Sequence, residues 1–309
     1  MIKSFLLAKK RFFAFSFFLF IAIENVNQSY LANPIKAKLL PTHQVPPDTV
    51  LINPEKHVLL VGIKPYLGRE ILNNKYSPTL KLVSNGRNLI LKDTNGVIRK
   101  AKEINIGWRG IELKRPIVFE RQRIGPLASF ESAERFAKNL KDKGIESTIA
   151  HPFDWEVWVS GDIKIPKSIK SIYQLIKVSK SVVPFLDRNN GKIALKGPII
   201  LHAPDGLRWE NGIYEGPFSI QSDAYGSWTL VEHVPIEKYL NGVVPYEIGS
   251  NSPEAALAAQ AVLARTWAVA NKHRFKVDGY NLCSDTQCQV YKDPSKSNQK
   301  IKMAIKKTA

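Results

Sequence analysis

Three features in the last quarter of the chain have residue types and spacing suited to chemistry. The first is Glu247, which follows Gly242-Val243-Val244-Pro245-Tyr246 and precedes Ile248. A carboxyl in apolar company keeps its proton to higher pH, which is what a general acid working near neutrality needs. Hydrolysis of a glycosidic bond normally takes two carboxylates flanking it. One suffices when the sugar's own hydroxyl attacks in place of water. The single Glu then donates to the leaving oxygen and, as a base, takes the proton of that hydroxyl. The second feature is Cys283 and Cys288, the two cysteines of the chain, spaced C-x4-C. The third is Gln260 and Arg265, polar residues inside an alanine-rich run. Five residues apart on a helix, they stand about 140° round the axis and share no narrow face. Arg265 suits a structural clamp or a contact to a substrate hydroxyl or carboxylate. Glu254 and Glu237 are weaker candidates: the one is a first-turn acid, the other belongs to the exposed side of a short helix.

These residues need elements to hold them. Ser252-Pro253-Glu254 predicts a helix start, with a capping hydroxyl, Pro at the first position and an acid in the first turn. The helix should run to about His273. Its eight alanines (255, 256, 258, 259, 261, 264, 268 and 270) lie on several faces and predict a buried helix. From Asn190-Gly191 to Val234 the pattern is β, with turn signals at Asp205-Gly206, Asn211-Gly212 and Tyr225-Gly226. Upstream, Ala133, Phe136, Ala137 and Leu140 recur at i, i+3, i+4, i+7, the stripe of a helix, with Gly144 placed to end it. Alternating Trp155, Val157 and Val159 read as a strand. Ile169, Ile172, Tyr173 and Ile176 predict one more helix. Within 57–118, Asn85-Gly86 and Asn95-Gly96 lie between short apolar runs and signal successive hairpins.

The amino terminus reads as an export signal. Lys3, Lys9, Lys10 and Arg11 precede the apolar run Phe12 to Ile23, too short to span about 30 Å of hydrocarbon. Tyr30-Leu31-Ala32 offers a cleavage site. If the segment stays uncleaved, it attaches the chain to a membrane. Either way the rest is expected outside the cytoplasm, in the periplasm or cell wall. The whole chain of 309 residues carries +18. Residues 1–32 hold four positive charges and Glu24, a net of +3, which leaves +15 for the remainder. Such a field favours an anionic partner. Export argues against nucleic acid and for an anionic membrane face or an acidic wall polymer. Ordinary apolar and charged content excludes a wholly disordered chain and a polytopic membrane protein.

Four ordered motifs carry a resemblance to a known family: Pro235-Ile236-Glu237-Lys238-Tyr239-Leu240; Gly242-Val243-Val244-Pro245-Tyr246-Glu247; Ala259-Gln260-Ala261-Val262 with Ala264-Arg265-Thr266-Trp267-Ala268; and Cys283 to Tyr291. Over about 235–291 the chain resembles the stage II sporulation protein D (SpoIID/LytB) family. The resemblance implies a lytic transglycosylase cutting peptidoglycan glycan strands, or a non-catalytic wall-binding protein that enhances a cell-wall amidase. It points to Glu247 as the catalytic acid/base and to Asp285, Gln289 and Tyr291, with Gln260 and Arg265, as substrate-binding residues. In some members of the family the Cys pair binds zinc, with a nearby His. Gln287 stands where that His is often found, so His273 would be the third ligand and Asp285 a fourth. A Cys283–Cys288 disulfide and free thiols remain the other readings of the pair. Residues 128–161 resemble half of a SPOR-type glycan-binding module.

The expected architecture is α+β: a signal at 1–32, a Pro-rich linker at 33–56, a small β-domain at 57–118, an αβ unit at 119–180, and a helix-centred SpoIID-like domain at 190–309. That last domain stops short of the family's usual length.

Overall fold

The computed structural model describes residues 58–188 and 191–309. The expected signal (1–32) and linker (33–56) lie outside the described residues. The N-terminal half contributes β1 (Val58–Leu67), β2 (Leu80–Ser84), β3 (Leu89–Lys92), β4 (Ile98–Ala101), β5 (Glu103–Leu127), α1 (Phe130–Asp142), β6 (Thr148–Ala150) and β7 (Trp155–Ser160). Then come β8 (Ile172–Arg188), β9 (Gly191–Ala194), β10 (Ile199–His202), β11 (Leu207–Trp209), β12 (Gly212–Tyr214), β13 (Phe218–Ser222) and β14 (Trp228–Pro235). The C-terminal part holds α2 (Ile236–Asn241), α3 (Val244–Ile248), α4 (Glu254–Asn271), β15 (Leu282–Cys283) and α5 (Gln299–Lys307). The class is α+β, with strands rather than helices making up most of the ordered structure. Among the described residues no helix is long and apolar enough to cross a membrane.

Two sheets enclose one core. The first has the order β15-β1-β14-β13-β10-β3-β4, the second β12-β11-β2-β5-β7-β6, with β8 also paired to β5 and β9 to β8. Strands from 57–118 are therefore shared out. β1 pairs with β14, β3 with β10, and β2 with β11. Leu59, Val61, Leu89 and Leu91 from one sheet and Leu82, Ile104 and Ile106 from the other bury in the same cluster. The alternation in these strands brings every second residue inward. β14 is buried on both faces: Leu230 and Val234 face this cluster, while Val231 faces a second one. That second cluster joins Phe130, Ala133 and Leu140 of α1 to Trp155, Val157 and Val159 of β7, and to Phe275 and Tyr280.

The two Asn-Gly signals have different outcomes. Asn95-Gly96 does turn β3 back onto β4, with Gly96 at φ 83°. Asn85-Gly86 instead carries the chain from β2 in one sheet to β3 in the other. Asp205 fills the inside of that turn: its Oδ1 accepts from Arg87 Nη2 at 2.8 Å. A Cβ on Gly86 would meet Asp205 Oδ2 at 2.4 Å. The helix expected around Ile169–Ile176 is a correction. Residues 172–188 form one long strand along β5, from Ile172 opposite Arg123 to Leu186 opposite Ile106. The segment is rich in β-branched residues, and its accessibility alternates with period two through 173–180, so pairing with β5 overrides the short helical spacing.

α1 matches its signal, capped by Ser129, whose side chain accepts from Ser132 N–H. α4 spans Glu254–Asn271, but its start is not capped as expected. Ser252 Oγ donates back to Ile248 O at 2.6 Å instead. Nor is α4 buried all round. Leu257, Ala261, Ala264 and Ala268 pack inward, while Val262, Leu263 and Val269 on other sides are 44–64% exposed. Small side chains around the whole circumference allow burial, but packing against this helix leaves those positions in solvent.

Candidate functional site

The site is built where the chain leaves β14. α2 follows at once and is pinned by burial of Ile236, Tyr239 and Leu240. Gly242 then lets a second segment approach closely. A Cβ there would meet the Tyr291 ring at 2.4 Å and Lys292 O at 2.6 Å. Lys292 N–H donates to Gly242 O at 2.9 Å. Residues 289–292 are thereby laid against α2 and α3.

That contact positions Glu247. Its Oε1 accepts the Val290 backbone N–H at 2.9 Å, and Oε2 has no partner among the described residues. The sequence expectation of an apolar pocket is not met, because Glu247 is exposed. Successive helical residues are about 100° apart. Val244 and Pro245 turn inward and Glu247 comes out on the solvent side. Glu247 is close enough to Tyr239 for its charge to add to burial, the larger cause, in holding the Tyr239 hydroxyl protonated well above the usual range. Tyr239 O–H donates to Gln289 Oε1 at 3.2 Å. Its ring stacks on Tyr291 at 4.9 Å between centroids. Glu247, Gln289 and Tyr291 thus belong to one neighbourhood.

The loop feeding this neighbourhood starts at β15, which pairs parallel with β1 through Val61–Leu282 and Gly62–Cys283. Cys283 and Cys288 form a disulfide. Asp285 shapes the loop between them: its Oδ1 accepts from Gln287 N–H at 2.9 Å and its carbonyl accepts from Cys288 N–H at 3.0 Å. The metal set drawn from Cys283, Cys288 and His273 is not assembled here. The two sulfurs are bonded to each other, and His273 Nε2 lies 2.7 Å from Glu134 Oε1 of α1.

Arg265 is a clamp. Nε and Nη2 fork onto both oxygens of Glu237 at 2.8 and 2.7 Å. Nη1 and Nη2 also reach the carbonyls of Thr308 and Ile305 at 3.0 and 3.2 Å. It ties α2 and α4 to the end of α5. Gln260 is half-buried on α4 and makes no side-chain hydrogen bond among the described residues.

One residue was missed. Glu232 of β14 is 1% exposed. Its Oε1 accepts Gly216 N–H at 3.0 Å and its Oε2 accepts Tyr291 O–H at 2.9 Å. Burial pushes its carboxyl up to about 7, against the pull of those two donors. The signal was present: one acid between apolar residues of the stretch Trp228 to Val234, directly after Leu230-Val231. A pair of acids, Asp223 and Asp278, is also buried. Asp278 is pushed up to about 8 by burial and by the nearby charge of Asp223, which is itself raised by burial.

A family match falls on this part of the chain. Residues 224–309 match the SpoIID family, stage II sporulation protein. The matched span contains α2 to α5, the Cys loop and Glu247. An uncharacterized protein of Brachyspira hyodysenteriae (strain ATCC 49526 / WA1) is 34% identical over 120 residues, which is 37% of this chain and 31% of that protein. The chain therefore spans about a third of the length of the curated relative it matches. No solved structure matches. The SpoIID segment is a sporulation- and cell-wall-related domain.

Proposed function

We propose that this chain is an exported peptidoglycan-acting protein that cleaves glycan strands as a lytic transglycosylase, with Glu247 as its single acid/base. The observation that carries the reading is the way Glu247 is held. One carboxyl oxygen is fixed by Val290 N–H, and the other faces solvent, inside the segment that matches SpoIID. A glycan laid across the loop would cover this carboxyl and remove water from it, which favours the protonated form needed at the start. The free oxygen then donates to the leaving glycosidic oxygen. The sugar's own hydroxyl closes on the anomeric carbon and returns its proton to the same oxygen. Gln289 and the exposed Asp285 lie along the same loop and suit hydrogen bonds to sugar hydroxyls. The positive charge of the chain suits an anionic wall.

A binding protein that enhances a cell-wall amidase is the second reading, favoured by the exposure of Glu247 in the free protein. The two separate on products. Incubation with denuded glycan strands should release anhydro-sugar ends, and Glu247→Gln should reduce that release by about 10²–10⁴-fold, the usual worth of general acid–base help. Glu254→Gln, which breaks only the exposed pair with Lys307, should keep turnover. Sedimentation with the wall and no anhydro ends from the parent would leave the binding reading standing.

A further inference from the structure

The Cys283–Cys288 disulfide has a position that its role as a loop staple does not explain. Cys283 is buried at 7% exposure, whereas Cys288 is half-buried. Cys288 lines a cavity of about 300 Å³ together with Phe130, Trp267, Arg274 and Gln287. Cys288 thus lines a cavity that Cys283 does not. Cys288 Sγ also accepts the Cys283 backbone N–H at 2.9 Å. The Arg274 guanidinium is fixed in the cavity, 4.6 Å from the Phe130 ring centre and 4.8 Å from that of Trp267. Its Nη1 donates to Gln287 O at 3.0 Å, one residue before Cys288. Arg274 also pairs with Glu131 across the cavity wall, so the donor that bears on the sulfur directly is the Cys283 N–H. A half-buried cystine sulfur that accepts a backbone N–H is a setting in which thiol–disulfide exchange is favoured.

What the disulfide closes matters as much. The residue after Cys288 is Gln289, held by Tyr239, and the next is Val290, whose N–H holds Glu247. On the other side, Gln287 accepts from Trp155 Nε1 at 3.2 Å. The cross-link stands between the two sets of contacts and limits the freedom of the segment that anchors the acid.

We propose that Cys288 is a site of exchange with a dithiol reductant, and that opening the bond releases the 284–291 loop from Glu247. The consequence for catalysis rests on the Glu247 reading; the exchange site does not. A thiolate of the dithiol attacks Cys288 Sγ and forms a mixed disulfide. The Cys283–Cys288 bond breaks and its electron pair leaves on the Cys283 sulfur, which takes a proton. The second thiol of the reductant then closes the reductant's own disulfide and expels Cys288 as a thiolate, which the Cys283 N–H stabilises until it too is protonated. Two electrons and two protons pass to the chain, and the dithiol becomes a disulfide.

The test needs no glycan. The oxidised full chain is treated with dithiothreitol, and backbone hydrogen exchange is followed by mass spectrometry. Exchange across 284–291 should rise roughly tenfold or more on reduction, while β13–β14 stays protected. Separately, Cys283→Ser leaves Cys288 as the lone thiol, and Cys288→Ser leaves Cys283. Iodoacetamide should modify the first about tenfold faster than the second. If either variant fails to fold, the exchange measurement on the parent still decides the release of the loop. Unchanged exchange across 284–291 in the reduced parent overturns the release, and equal or reversed alkylation rates overturn the assignment of Cys288. Neither result depends on whether glycan is cleaved.

Discussion

Replacing Glu232 with Gln is the sharpest test of the buried polar chain behind the site. The carboxyl is held near pKa 7 by burial, against 4.5 for an ordinary glutamate. The folded protein therefore holds this proton more tightly than the unfolded chain does. Stability from it is greatest below the unfolded value and is lost as pH rises through 7. With 1.36 kcal/mol per unit, the loss between about pH 5 and about pH 8 comes to roughly 2–3 kcal/mol. Glu232→Gln keeps the shape and cannot ionise, so its share of the pH dependence vanishes. Asp278 and Asp223 titrate in both proteins and cancel in the difference. The assay is urea unfolding of parent and variant at the two pH values. The variant should be the less stable near pH 5, where Gln replaces a protonated acid, and should close or reverse that gap near pH 8. Parallel pH profiles for the two proteins would refute the argument that Glu232 is buried as drawn.

Three further outcomes are expected. Tyr291→Phe removes the hydroxyl that donates to Glu232 Oε2. It should destabilise by about 1–2 kcal/mol and move the pH of stability loss upward, both read from the same unfolding curves. Arg265→Ala breaks the fork to Glu237 and deprives the Ile305 and Thr308 carbonyls of a donor. A loss of about 2–3 kcal/mol in urea unfolding is expected, whereas a residue that only contacts substrate would leave the midpoint in place. Ser129→Ala deletes the α1 cap and should lower stability by about 1 kcal/mol, with helix loss visible by circular dichroism.

Local signals were legible where local physics decides. The stripe Ala133, Phe136, Ala137, Leu140 gave α1, and the alanine run gave α4 to within two residues of its end. The four motifs at 235–291 pointed to the segment that matches SpoIID. The sheet partners were not legible. Nothing in Val58–Leu67 says that it lies beside Trp228–Pro235, and Asn85-Gly86 looks like any hairpin turn until Asp205 fills it. Pairing is a long-range choice made by packing, so 172–188 became a strand although its first residues have helical spacing. At the site, sequence neighbours misled: the apolar residues around Glu247 point away from it. Glu232 went unnoticed because its partners, Gly216 and Tyr291, lie far from it along the chain.

The pairing of β1 with β14 sets a timetable for folding. Roughly 160 residues separate the end of one strand from the start of the other. Delivered from its amino-terminal end, β1 reaches its folding compartment well before its antiparallel neighbour. β15, its parallel neighbour, emerges later still. Throughout that interval Leu59, Val61 and Ile63 have no sheet to enter, and both edges of the strand are open to any passing β-segment. Closing so long a loop also slows the productive step relative to local helix formation. The first of the described strands thus waits on partners far along the chain, and a holding factor that shields 58–67 should raise the yield of native protein more than one that shields α4.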